Sequence, residues 1–390
     1  MSHRYLVLGA GRQGTAAAYD IARFGEAERI ILADIDPFVA GASAQRVNAL
    51  VGHDVVATIG LDVSDGDAVT RALAQVDVCL SAVPYSYNLD LTRHAIAASA
   101  GLCDLGGNTA IIYQQLDLDA EAREAGVAIV PDCGMGPGMT NSLAAYAMTF
   151  LDDPREVYIW DGGLPQDPQP PWNYQLTFNI EGLTNEYDGE AMFLRDGQST
   201  RVPCFTELEE IDVPPLGRLE AFVTAGGAST AVRTYAGQLQ VYQNKTLRYP
   251  GHYAQFKAFR DLGLFAQDSV SVDGYSVTPR HFYHTLLEPH ITAPDIRDVC
   301  VIRVKAIGMK AGRESVVTVD LIDYYDEETG FTAMERCTGW HAAIVAGMIA
   351  RGEVRAGVVP LELAVPGPAF VVEARRRGFR ITEEAQHTQA

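Results

Sequence analysis

Positive charge is scarce in this 390-residue chain: 30 Lys and Arg stand against 50 Asp and Glu, a formal net charge of −20. Nucleic-acid binding rests on clustered cations that neutralise phosphates, so the balance argues against a nucleic-acid partner. The one basic run, Arg375-Arg376-Arg377, reads as a solvated helix end beside Gly378. No apolar stretch reaches the roughly 18 residues that a membrane-spanning helix needs. A strand pattern begins within four residues of the start, which leaves no room for a signal peptide. The cysteines, Cys79, Cys103, Cys133, Cys204, Cys300 and Cys337, are scattered without a C-x-x-C spacing. They read as reduced thiols of a cytoplasmic protein, with neither a disulfide frame nor a metal site. No internal repeat is visible.

What is abundant is apolar sequence, 47% of the residues, enough to bury large cores and to build two or three domains. The most informative stretch is Tyr5-Leu6-Val7-Leu8-Gly9-Ala10-Gly11-Arg12-Gln13-Gly14, followed by a second apolar run that ends at Asp34 and Ile35. A strand, a G-x-G-x-x-G turn, a helix and a carboxylate about 20 residues on make up the dinucleotide-binding fingerprint. Gly9 permits the tight turn, Gly11 lets backbone approach the pyrophosphate, and Gly14 lets helix and strand pack closely. Free amides at the helix start, around Arg12 and Gln13, face the phosphates. Asp34 suits the adenosine ribose hydroxyls and would repel a 2′-phosphate, so the expected cofactor is NAD.

Up to about residue 131 short apolar strands alternate with amphipathic helices, the signal of a parallel sheet covered on both faces. The expected architecture is α/β: a Rossmann-type doubly wound domain over residues 1–135, followed by an α+β substrate domain on a mixed or antiparallel sheet over 136–337. Residues 338–390 are expected to form helices that pack back on the first domain, and Thr382–Ala390 reads as a frayed tail. Ligands bind at the carboxyl ends of strands in such sheets. That singles out Asp62 and Val63 for the adenine, and Ala82, Val83 and Pro84 for the nicotinamide.

Two further glycine-rich segments close strands of the first domain, Cys103-Asp104-Leu105-Gly106-Gly107-Asn108 and Asp132 to Met139. Gly106 and Gly107 would admit a ligand while Asp104, Asp132 and Cys133 flank it; equally, the aspartates could simply cap turns. In the second half, Lys245-Thr246-Leu247-Arg248-Tyr249-Pro250-Gly251-His252 gathers two cations, a phenol and an imidazole. On one strand Lys245 and Arg248 point to opposite faces, so at most one faces a cleft unless the strand bends. Arg248 suits bidentate grip of a carboxylate, and His252 suits proton transfer near neutral pH.

These segments, together with Ser81-Ala82-Val83-Pro84-Tyr85-Ser86-Tyr87-Asn88, resemble the saccharopine dehydrogenase-type reductases, with a likeness to the lysine 6-dehydrogenase branch that runs from the first strand to about residue 380. The resemblance implies NAD-dependent oxidative deamination of the lysine ε-amine to 2-aminoadipate 6-semialdehyde, with release of ammonia. It implies Arg248, Asn108 and Tyr249 as substrate contacts. His252 is the first choice for general base, with Asp104, Asp132, Lys245, Tyr85 and Cys133 around the reacting carbon. A saccharopine or carboxynorspermidine dehydrogenase, which reduces an imine to form a C–N bond, is the alternative reading, and an NAD-binding module without catalysis a second. The expected partner is a small amino-acid substrate, in a homodimer or homotetramer.

Overall fold

The computed structural model describes residues 2–293 and 295–387. Strands β1 (His3–Leu8), β2 (Ala27–Asp34), β3 (Val56–Gly60), β4 (Val78–Ser81), β5 (Gly101–Asp104) and β6 (Ala128–Val130) pair in parallel in the order β6-β5-β4-β1-β2-β3. The inner runs Tyr5–Leu8, Ile30–Ala33, Val78–Leu80 and Ala128–Val130 are apolar because both faces are covered, whereas the edge strand β3 alternates. Tyr5 and Val7 of β1 enter one core cluster, and Leu6 and Leu8 enter another on the opposite face. The order reverses between β1 and β4, which opens the crevice that such sheets use for ligands.

The second sheet is mixed. It is built from β7 (Asp153–Pro165), β8 (Glu190–Arg195), β9 (Gln198–Pro203), β10 (Glu209–Val213), β11 (Gly217–Val223) and β12 (Val241–Arg248). A small hairpin of β13 (Val270–Val272) and β14 (Tyr275–Val277) stands apart, and β15 (Asp298–Lys310) and β16 (Arg313–Tyr324) complete the central part. β7 runs parallel to β12 and antiparallel to β15, so the long strand that begins this half lies at the sheet's centre. Hairpin turns at Asp196-Gly197 and Asp273-Gly274, each an Asp-Gly pair, join β8 to β9 and β13 to β14.

The C-terminal segment touches both sheets. The helix His341–Ala350 packs on β4, β5 and the helix Arg12–Phe24, and β17 (Gly357–Val358) adds a seventh parallel strand beside β6. The tail differs from expectation. Residues of β18 (Ile381–His387) pair with β16 at the edge of the second sheet, while residues 388–390 lie outside the described residues. Only Ile381 of that strand is buried, so backbone hydrogen bonds hold it, not an apolar face, and its sequence carries no alternation to read. The basic run also departs from expectation. Arg377 is buried and paired with the equally buried Asp20 of the first domain at 2.8 Å.

Candidate active site

The glycine turn after β1 has the shape its sequence requires. Gly9 has φ +91°, and a Cβ there would lie 2.7 Å from the carbonyl oxygen of Ala82. A Cβ on Gly14 would lie 1.8 Å from the carbonyl of Gly9, so helix and strand meet closer than any side chain allows. Gly11, by contrast, faces open space, with nothing within 4 Å of its Cβ position. Asp34 is held at the end of β2 by the amides of Ala10, at 2.8 Å, and Asp36, at 3.0 Å. An open backbone cradle beside a fixed carboxylate fits a dinucleotide. Ile35 is exposed beyond Asp34, and Asp62 folds onto Ser64 in the turn after β3, with Val63 half-buried beside it. Arg12 lies apart from the main cleft, in a hollow of about 270 Å³ shared with Ser43 and Arg46.

From the crevice a cleft of about 1150 Å³ opens between the two sheets. Gln13, Ala82, Val83, Pro84, Tyr85, Gly106, Gly107, Asn108 and Asp132 line it from the first domain. Asp161, Glu186, Asn244, Thr246 and Arg248 line it from the second. Alternation along β12 turns Asn244, Thr246 and Arg248 to one face, and β7 beside it presents Asp161. Asn108 accepts hydrogen bonds from the amides of Ala110 and Ile111 and so caps the following helix as well as lining the cleft.

The other expected site residues lie elsewhere. Lys245 points to the opposite face, where its Nζ donates to the Glu207 carbonyl at 2.9 Å and pairs with Glu209 at 3.1 Å. Tyr249 donates to the Pro165 carbonyl at 3.0 Å. Cys133 is fully buried, its thiol against the Val130 and Pro131 carbonyls. Asp104 sits behind the wall, accepting from the amides of Gly106 and Asp132 and from Gln115, so it shapes the turn without facing the cleft. His252 is buried behind Tyr187, 2.8 Å from its hydroxyl, and does not reach the cleft. The sequence placed a cation and an imidazole four residues apart, but the bend at Pro250-Gly251 sends the imidazole into an aromatic core.

Carboxylates dominate the cleft. Asp161, Glu186, Asp132, Glu181, Asp188 and Glu190 line it together with Arg248 and Arg280. Arg280 is spent on structure: its Nη atoms bind Glu181, Asn185 and Asp188, and its Nε donates to the Phe265 carbonyl. Arg248 is buried, with Nε on Tyr187 and Nη1 on the Leu247 carbonyl, while Nη2 lies 3.8 Å from Glu186. Burial pushes Asp161 up to about 6, against a hydrogen bond from Asn244 and the attraction of Arg248. Burial likewise raises Glu186 to about 7, again opposed by Arg248. Asp132 is pushed well above the usual carboxylate range by burial, although the Ser229 hydroxyl bonds to it. The sequence marks Asp161 only through the strand-ending turn Asp161-Gly162-Gly163-Leu164-Pro165, of the kind that borders clefts, and does not mark Glu186. The pairing of β7 with β12 brings Asp161 to Arg248, and the helix Ile180–Tyr187 brings Glu186 there.

Residues 5–130 match the family described as the saccharopine dehydrogenase NADP binding domain, and residues 134–375 the saccharopine dehydrogenase C-terminal domain. Among curated proteins, the carboxynorspermidine synthase of Vibrio cholerae is 24% identical over 70% of this chain and 67% of its own length. The glutamate-forming, NADP-linked saccharopine dehydrogenase of Saccharomyces cerevisiae is 23% identical over 61% of this chain and 55% of its own. The carboxyaminopropylagmatine dehydrogenase of Synechocystis is 22% identical over 94% of both chains. The solved structure of the Saccharomyces cerevisiae saccharopine dehydrogenase superposes with a TM-score of 0.79 at 18% identity, covering 99% of this chain and all of that one. With both halves of the fold matched in order and a dinucleotide cradle facing a substrate cleft, the chain belongs to the saccharopine dehydrogenase family of oxidoreductases.

Proposed function

We propose that this protein is an NAD-dependent amino-acid dehydrogenase that oxidises the ε-amine of lysine to 2-aminoadipate 6-semialdehyde and releases ammonia. The observation that carries this reading is the charge of the cleft: with Glu181 and Asp188 set against Arg280, the carboxylates Asp132, Asp161, Glu186 and Glu190 remain against Arg248, the guanidinium with donors to spare, among the described residues. Such a site suits a substrate with one carboxylate and two amines better than one with several carboxylates. In this reading Arg248 grips the α-carboxylate through Nη2. Glu186, beside it, takes the α-ammonium. Asp161, next to Gly136 at the turn that leaves β6, accepts the proton of the ε-ammonium and passes it to solvent; it then takes a proton from the attacking water and gives it to the nitrogen that leaves as ammonia. Gln13, the glycine turn and Asp34 would hold NAD, which supplies the hydride acceptor when bound. Pro84, Tyr85 and Asp132 wall the place where the amine carbon meets it, keeping that carbon oriented and partly shielded from water.

A second reading is favoured by the names of the relatives: reduction of an imine formed between an amine and an aldehyde, as in carboxynorspermidine or saccharopine formation. Absorbance of NADH or NADPH separates the two. The purified protein is offered lysine or saccharopine with NAD or NADP, and, in the reverse sense, aldehyde and amine pairs with the reduced cofactors. Lysine-dependent NADH formation at least about tenfold faster than NADPH formation is the expected result, from the lost ribose contacts and the phosphate repulsion at Asp34. Turnover confined to imine reduction, or equal use of NADP, overturns the reading.

A further inference from the structure

His252 has no place on the cleft wall, yet it stands one residue behind Arg248 in a buried chain of hydrogen bonds. Arg248 Nε donates to the Tyr187 hydroxyl at 2.8 Å, and the same oxygen lies 2.8 Å from His252 Nε2. Tyr187 is fully buried and His252 nearly so, and His252 Nδ1 has no partner among the described residues. The imidazole is fixed by rings: Phe256 stacks on it at 4.0 Å and 15°, and Tyr174 tilts against it at 5.1 Å.

Counting protons assigns the direction of the chain. With its proton on Nδ1, His252 accepts the Tyr187 O–H at Nε2, and the Nδ1–H alone is left unsatisfied. With the proton on Nε2, that N–H donates to Tyr187 instead. The tyrosine O–H then has no acceptor, and Nδ1 is unsatisfied as well. Stranding one buried polar group is less costly than stranding two, so the first tautomer holds. Burial and the neighbouring guanidinium keep the imidazole well below its ordinary value, hence neutral and able to accept.

We propose that His252 is a positioning residue for the substrate's carboxylate: it draws the Tyr187 proton backwards, so that Tyr187 offers a lone pair to Arg248 Nε and fixes the guanidinium with Nη2 free for substrate. Without that acceptor the tyrosine proton can rotate toward Arg248 and loosen its aim. The inference rests on the proposed grip of substrate by Arg248, and it removes His252 from proton transfer.

Steady-state kinetics on the full chain test it. His252→Phe keeps the aromatic stack but deletes the acceptor, whereas His252→Gln puts a side-chain amide oxygen where Nε2 stood. For His252→Phe the expected result is an amino-acid KM raised about five- to tenfold, the loss of one hydrogen bond between neutral groups. kcat should stay within about twofold and the KM for NAD unchanged, with His252→Gln restoring most of the loss. Tyr187→Phe should raise KM similarly, and the double variant should be no worse than Tyr187→Phe alone, because both cut one chain. An unchanged KM in His252→Phe, a kcat loss of a hundredfold, or multiplying effects in the double variant overturns the proposal. If the wild-type chain turns over no amine, the proposed function has failed, and the inference is decided by the Arg248 Nε–H signal in nitrogen-15 NMR. That signal should shift in His252→Phe and recover in His252→Gln; a signal indifferent to both sinks the inference by itself.

Discussion

At the scale of residues, Arg248 and Asp161 divide the work of the cleft. Arg248→Ala should raise the amino-acid KM at least about tenfold and leave the KM for NAD unchanged, since a charge-assisted contact contributes about 1.5 to 3 kcal/mol. Initial rates at varied substrate and fixed NAD measure it, and an unchanged amino-acid KM assigns Arg248 to structure. Asp161 takes up a proton only as a carboxylate, and burial has raised it to about 6, with Glu186 at about 7. kcat/KM should therefore climb with pH through the interval between 6 and 7, well above the range of an ordinary carboxylate. Asp161→Asn keeps an oxygen to accept from Asn244 but carries no proton load, and should lower kcat about 10²-fold or more. A profile flat from pH 5 to 8 in the wild type removes both carboxylates from the chemistry. Motifs surround Arg248, Asp132 and Tyr85, and the fold brings all three to the cleft. Strand alternation already sets Lys245 on the face opposite Arg248, whereas His252 lies past the Pro250-Gly251 bend, whose direction the linear sequence does not fix.

At the scale of elements, the turn between β1 and the helix Arg12–Phe24 separates folding from binding within three glycines. Gly14→Ala drives a methyl into the Gly9 carbonyl, 1.8 Å away, and backbone must yield. The expected loss of stability is about 3 kcal/mol or more in urea unfolding. Gly11→Ala meets nothing within 4 Å, and its φ of −68° suits alanine. That variant should unfold like the wild type while binding NADH at least about tenfold more weakly in a fluorescence titration, its methyl occupying the space that the pyrophosphate needs. Equal binding by Gly11→Ala means that the cradle does not hold a dinucleotide backbone. Parallel strands were legible because burial on both faces leaves an uninterrupted apolar run. β18 was not, because an edge strand held by its backbone needs no pattern, and the central position of β7 depends on pairings formed across 85 residues to β12 and across more than a hundred to β15.

At the scale of the whole molecule, residues 341–387 fasten the two halves together. One strand of that segment extends the first sheet and another extends the second, and between them Arg377 reaches the helix Arg12–Phe24 to pair with Asp20. Arg377 Nε lies 2.8 and 2.9 Å from the two oxygens of Asp20, and Nη1 also meets Glu373. Both Asp20 and Arg377 are removed from water, so neither charge can be solvated if the other is lost. Deleting one member of such a pair costs about 3 to 5 kcal/mol, more than the pair itself contributes over an apolar replacement. Arg377→Ala should therefore unfold at markedly lower urea, while the double variant Asp20→Leu with Arg377→Met should regain most of the loss. Denaturation followed by tryptophan fluorescence distinguishes the cases. If Arg377→Ala were as stable as the wild type, Asp20 would have to be neutral in the native protein, and the C-terminal segment would be held by its strands and apolar helices alone.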